Sequence, residues 1–231
     1  MHKKIGIIGG LSAESTVSYY LHITRTYIER FGDCGYPEII IFSVNLENYR
    51  RWRSTNRWDL IVNDLTSAAR NLQQAGADFA LIATNTMHKV FDEVQSGTTL
   101  PLIHILDSTV HEIELRGVRT VGLLGTRYTM RETFYIDKLA NNGIRALVPT
   151  IEDQNKIHRI IVDELSRGKI LEESRQECLC IIDTLRQDGA DGIILGCTEL
   201  PLLLHPDDSE IPLFDTAILH AQVALDLAIR A

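Results

Sequence analysis

The sequence is short of several things, and each shortage closes a class of function. Four cysteines in 231 residues are too few for a disulfide framework. Cys178 and Cys180 lie two apart in a helical pattern, so they point to different faces and make a poor metal pair. No apolar run approaches the ~18 residues that cross a bilayer. The opening MHKKIGIIGG is basic, but its apolar run is broken by Gly6, Gly9 and Gly10 and leads into Ser12 and Glu14, so it reads as a first strand and not as a secretion signal. Positive charge is in deficit, with 23 Lys and Arg against 31 Asp and Glu and a formal net charge of −8. That excludes a broad nucleic-acid surface, which needs clustered cations, and any anionic ligand must be held by a local arrangement. There is no metal-ligand cluster and no G-x-G-x-x-G, so neither a metal nor a nicotinamide cofactor is expected. No low-complexity stretch or Gly/Ser linker divides the chain. A cytoplasmic globular protein with no nucleic-acid or membrane partner is the expectation.

What is present is a steady alternation of strand and helix signals, the mark of an α/β protein with mainly parallel sheet. Strands are predicted over residues 5–8, 39–44, 79–83, 100–105, 121–126 and 211–214. Helices are predicted over 17–28, 58–74, 107–115, 130–140, 153–167, 171–187 and 215–231, from apolar residues at helical spacing and glycine stops such as Gly76, Gly168 and Gly189. Residues 45–56, holding Arg50, Arg51 and Arg53, read as a polar connection.

The pattern is written twice. ADFALIATNTM begins at Ala77 and ADGIILGCTEL at Ala190, 113 positions on; IGIIGG at Ile5 returns as VGLLGT at Val121, 116 on; LPLI at Leu100 returns as IPLF at Ile211, 111 on. Three echoes in one order imply two similar parallel-sheet αβα halves, 1–105 with 216–231 and 106–215. In an open parallel sheet ligands bind beyond the carboxyl ends of the strands. An active site between two pseudo-symmetric halves would then put Thr84 and Cys197 opposite each other. Asn85 and Thr198, and Thr86 and Glu199, are counterparts in the same way, and Thr126 is the counterpart of Gly10. The plainer reading is that Thr84 caps a helix and Cys197 is a small buried apolar residue.

The motifs themselves resemble the aspartate/glutamate racemase superfamily of cofactor-independent amino-acid racemases. IILGCTELPLL fits the second signature of that family along its length, and LIATNTMHKV fits the first except at its cysteine. GIIGGLSAEST, GLLGTRYTM and IHRIIVDELSRG are similar to the family as well. The resemblance implies racemisation without pyridoxal phosphate, in which one residue removes the Cα proton and another returns one to the opposite face. Two thiols usually do this, and here Thr84 stands where the first is expected. A threonine hydroxyl is a far weaker acid than a thiol, so Thr84 suits proton donation and Cys197 suits abstraction. Since the second-half cysteine serves the L-isomer in related racemases, L-to-D conversion should be kinetically favoured. The family often forms dimers, so a homodimer is implied.

An acidic amino-acid substrate needs donors for two carboxylates. Asn85, Thr86, Thr126 and Thr198 are the candidates for the α-carboxylate. The second carboxylate favours a guanidinium fork, with Arg53 first and Arg167 and Lys156 behind it, although each of the three also reads as a solvated surface charge. Glu199 aligns with a position that supports the cysteine base in related enzymes, or else is a helix N-terminal carboxylate. His88 and His104 read as core or capping histidines. Two other readings stay open: a single-cysteine decarboxylase resembling the arylmalonate decarboxylases, and an amino-acid-binding protein that has lost turnover.

Overall fold

The computed structural model describes residues 2–230; Met1 and Ala231, the outermost positions of the expected first half, lie outside them. The chain divides into two compact units, Met1–Ile105 with Ala217–Ala231 and Leu106–Thr216. Each is built on one four-stranded sheet whose neighbouring strands all pair in parallel.

In the first unit the sheet order is β2-β1-β3-β4, with β1 Ile5–Gly9, β2 Ile39–Ser43, β3 Phe79–Ile82 and β4 Leu102–Ile103. Strands covered on both faces read as unbroken apolar runs, and alternate side chains go to opposite cores. Ile8, Ala80 and Ile82 face one core with Tyr49, Ile61, Leu65 and Leu72. Ile5, Ile7, Phe79 and Leu81 face the other, with Tyr19, Ile23, Tyr27 and the small residues Ala217, Ala221, Ala224 and Ala228. The helices that supply these faces are α1 Ala13–Phe31, α2 Leu46–Ser54, α3 Trp58–Gln74 and α10 Thr216–Ile229, with the short α4 Phe91–Ser96 also on the first core. Ser12 is the N-cap of α1, accepting from the Ser15 N–H at 3.1 Å.

The second unit repeats the plan in the order β6-β5-β7-β8. Here β5 is Thr120–Gly125, β6 Arg145–Leu147, β7 Gly192–Gly196 and β8 Leu213–Asp215. The echoes of the sequence are built into the register. Ile5 pairs with Phe79, and the residues 116 and 113 further on, Val121 and Gly192, also pair. Ala80 pairs with Leu102, and their counterparts Ile193 and Leu213, 113 and 111 on, pair as well. The remaining helices are α5 Ile105–Leu115, α6 Arg127–Arg131, α7 Thr133–Asn141, α8 Ile151–Arg159 and α9 Glu172–Gln187. Gly122, in mid-strand, lets α9 approach: a Cβ there would lie 2.6 Å from Ile193 Cδ1 and 2.9 Å from Leu185 Cδ1.

Five segments depart from the sequence expectation. Residues 46–54 are the helix α2, not a polar connection: Asn45 caps it by accepting from the Glu47 N–H, and Tyr49 anchors it by donating to Asp64 at 2.7 Å. The helix expected over 153–167 is α only to Arg159 and continues as a π turn, Ile160–Glu164, and a 3₁₀ turn, Leu165–Arg167. The helix expected over 130–140 falls into α6 and α7, because Glu132 takes an extended conformation (φ −85°, ψ 146°). Only Leu102–Ile103 of residues 100–105 is strand, and β6 has no counterpart among the expected strands.

Candidate active site

Both echoed strands end in a turn that carries the polar residues of the motif. After β3 the chain passes through Ala83 and Thr84 into a 3₁₀ segment, Thr86–Val90; after β7 it passes through Cys197 and Thr198 into a 3₁₀ segment, Leu200–Leu202. Register makes Thr84 and Cys197 counterparts, each 113 apart with the strand residues before them.

In the second unit the chemistry is compact. The Cys197 thiol donates to Glu199 Oε2 at 2.9 Å, and the Thr198 hydroxyl donates to the same oxygen at 3.1 Å. All three residues are buried. The Glu199 carboxylate is therefore within reach of the thiol proton, the placement that a general base needs. The backbone is held as well: the Cys197 carbonyl accepts from the Leu200 N–H at 3.1 Å, and the Thr216 hydroxyl donates to the Leu195 carbonyl at 2.9 Å. Thr126 follows β5 and caps α6, accepting from the Thr129 N–H.

In the first unit Thr84 is half-buried and its neighbours Asn85 and Thr86 are buried. Ser15 donates its hydroxyl to the Ala83 carbonyl at 2.9 Å, and the Thr84 N–H donates to the Ile82 carbonyl at 2.8 Å. His88 Nδ1 lies 2.8 Å from the Thr84 carbonyl. Burial pushes His88 well below its ordinary value of 6.5, with the adjacent His104 adding to the effect. Gly10, at the end of β1, has φ +77° and a site where any Cβ would collide with the Val44 carbonyl.

The cationic candidates differ in exposure and in local partners. Arg53 is half-buried in the last turn of α2 and not in a loop, a correction to the sequence expectation. Lys156 is engaged by its own helix, with Asp153 at 3.0 Å and Glu152 at 3.2 Å. Arg167 is well exposed and lies 3.6 Å from Asp163. Sequence reasoning missed Ser15 and Thr216, whose contacts span 68 and 21 positions; no local pattern announces such bonds. No group of three or more His, Cys, Asp or Glu among the described residues could hold a metal ion, and no helix among them is long and apolar enough to cross a membrane.

The profile of the family described as Asp/Glu/Hydantoin racemase matches residues 8–224. The chain belongs to this family. The match takes in both strand-end turns, and the family is the one that the motifs TNTMH and GCTEL resemble. Among curated relatives, the broad specificity amino-acid racemase RacX of Bacillus subtilis (strain 168) is 26% identical over 216 residues, covering 92% of each chain. Among solved structures, an aspartate racemase homologue from Pyrococcus horikoshii OT3 is 39% identical with a TM-score of 0.87, covering 98% of this chain and 99% of that one. The aspartate racemase of Picrophilus torridus shares the fold, with a TM-score of 0.78 at 22% identity over 98% of this chain and 94% of that one. Family membership makes the protein an amino-acid racemase homologue with an α/β fold.

Proposed function

We propose that this racemase-family protein interconverts the L- and D-forms of an acidic amino acid, aspartate or glutamate, by proton transfer at Cα without a cofactor. The observation that carries the reading is the Cys197–Glu199 pair, a buried thiol already donating to a carboxylate at 2.9 Å. Transfer of that proton to Glu199 leaves a thiolate, which removes the Cα proton of the L-isomer. Thr84 then gives its hydroxyl proton to the other face of the planar carbanion and is reprotonated from solvent, and Glu199 releases its proton to solvent. Backbone and side-chain donors at Asn85, Thr86, Thr126 and Thr198 serve the α-carboxylate and its developing enolate charge. The side-chain carboxylate falls first to Arg53, whose planar guanidinium suits a bidentate carboxylate, with Arg167 and Lys156 behind it. A hydroxyl donates better than it abstracts, so initial rates at saturating substrate should favour L-to-D, while kcat/KM stays equal in the two directions because the equilibrium constant is one.

Deuterium wash-in at Cα in heavy water, followed together with formation of the opposite enantiomer, tests the reading. Faster inversion from L-aspartate or L-glutamate than from the D-isomers is expected; equal initial rates would remove the assigned asymmetry, and absence of exchange would remove the reaction. The single thiol also favours a second reading, a decarboxylase in which Cys197 protonates the carbanion left by loss of carbon dioxide. Release of carbon dioxide from an arylmalonate would establish it, and the polar turn Asn85-Thr86 is a poor wall for an aryl group.

A further inference from the structure

We infer that His88 is a positioning residue for Thr84, a bracket that fixes the strand-end turn so that the hydroxyl meets the carbanion in a donating geometry. The inference rests on Thr84 being the proton donor proposed above. A carbonyl only accepts, so the 2.8 Å contact from Nδ1 to the Thr84 oxygen requires a proton on Nδ1. Nε2 is then a lone-pair acceptor, and it receives the Ile105 N–H at 3.1 Å. One neutral tautomer satisfies both contacts, joining Thr84 to a backbone group 21 positions on.

The ring has little freedom to do otherwise. His88 is 3% exposed, stacks on Phe91 with centroids 5.5 Å apart and an interplanar angle of 9°, and touches His104 at 4.7 Å. Behind it His220 is fixed in turn, with Nδ1 accepting from the Tyr19 hydroxyl and Nε2 donating to the Ile103 carbonyl, both at 2.9 Å. With Ser15 on the Ala83 carbonyl and His88 on the Thr84 carbonyl, the peptide groups on both sides of Thr84 Cα are held. Its hydroxyl is the group left to chemistry.

The second unit lacks this bracket. The counterpart of His88, 113 positions on, is Pro201, which has no side-chain donor, and the Cys197 carbonyl is served by the Leu200 N–H instead. The difference tracks the difference in chemistry. A hydroxyl must deliver a proton far less acidic than that of a thiol, so its approach has to be better defined; misplacement by about 1 Å can cost about 100-fold.

The test separates inversion from exchange. Full-length protein is incubated in heavy water with L-aspartate and L-glutamate, and deuterium in recovered L-substrate is measured alongside D-product. His88→Gln keeps an acceptor near the Nε2 position but loses the donor to Thr84; His88→Asn keeps a donor near the Nδ1 position. We expect His88→Gln to lower inversion about 10- to 100-fold while exchange into the L-isomer, which needs Cys197 and Glu199 but not Thr84, falls much less. His88→Asn should restore most of the wild-type ratio. A ratio unchanged in His88→Gln, or no better in His88→Asn, overturns the inference, since a merely structural loss would depress exchange and inversion together. Wild-type protein also reports without substitution: ¹⁵N-histidine spectra should show His88 protonated at Nδ1 and bare at Nε2, and the opposite tautomer overturns the bracket. Wild-type protein that neither exchanges nor inverts overturns the racemase reading itself, a result distinct from a normal wild type with an unchanged ratio in the variants.

Discussion

Glu199 Oε2 is the shared acceptor of two donors, the Cys197 thiol at 2.9 Å and the Thr198 hydroxyl at 3.1 Å. The second donor bears on the first. Both donors converge on one oxygen, so the Thr198 hydroxyl competes with the thiol for it.

Removing the thiol or its acceptor should therefore have unequal effects. Cys197→Ala is expected to abolish deuterium wash-in from L-substrates. Glu199→Gln should lower it about 100-fold, the low end of what one general base contributes. Full exchange in Glu199→Gln would show that the pair is only structural.

Replacing the weak partner should even out the two directions. Thr84→Cys places a thiol at the counterpart of Cys197 and is expected to raise the initial rate from the D-isomer, moving the ratio of the two initial rates toward one. Enantiomer-resolved chromatography at early times measures this, and a ratio that stays at its wild-type value would count against Thr84 as a reacting group.

Stability should fall as the pH drops below about 6.5. His88 is neutral and buried, and its native value lies well below the ordinary 6.5. Above 6.5 neither the folded nor the unfolded chain binds this proton, so the full stability is present. Below it the unfolded chain takes a proton that the folded ring refuses, and each pH unit costs up to about 1.4 kcal/mol until the native value is reached. His22, also lowered by burial, adds in the same direction. The carboxylates held low by partners, Asp153 beside Lys156 and Asp208 beside Arg175, lose their contribution only at more acid pH. Urea midpoints between pH 7.5 and 5 check this, and a flat profile there would contradict the neutral buried ring.

The end of β1 should tolerate no side chain. Gly10→Ala forces a left-handed backbone, which costs about 1–2 kcal/mol, and drives the new methyl into the Val44 carbonyl. Thermal unfolding should show a loss larger than the backbone cost alone; Gly76→Ala, with the same sign of φ (+93°) and nothing within 4 Å of its Cβ, should lose the backbone cost and little more.

Thiol labelling should sort the cysteines by environment. Cys34 and Cys180 are exposed and should react first with an aromatic disulfide reagent. Cys178 is fully buried, and burial, with Glu177 and Glu164 nearby, pushes its thiol up to about 12, so it should react only on unfolding. A native protein in which Cys178 reacts as fast as Cys34 and Cys180 would refute this ordering.

Much of this molecule is legible in one dimension because parallel strands are selected by apolar runs that survive translation along the chain. The pairing of Val121 with Gly192 follows from that of Ile5 with Phe79 once the echo is noticed. β6 escapes because Arg145–Leu147 is three residues long and half exposed. The π turn after α8 escapes because Ile157, Ile160, Ile161 and Leu165 keep the spacing of an ordinary helix while all four are buried. At the site, Thr84, Cys197 and Glu199 stand in motifs, whereas the bonds of Ser15, His88 and Thr216 join distant backbone groups through side chains that are unremarkable in sequence.

The late helix α10 has a consequence for biosynthesis. It supplies Ala217, Ala221, Ala224, Leu225 and Ala228 to the core that Tyr19, Ile23 and Tyr27 begin, yet it is made more than a hundred residues after β4. At about 5–20 residues per second, the nascent first sheet waits roughly six to twenty-five seconds with that face covered by α1 alone. During that interval the face is open to chaperones, and the closing of the Tyr19–His220 contact marks the moment at which the ribosome product can become a native protein.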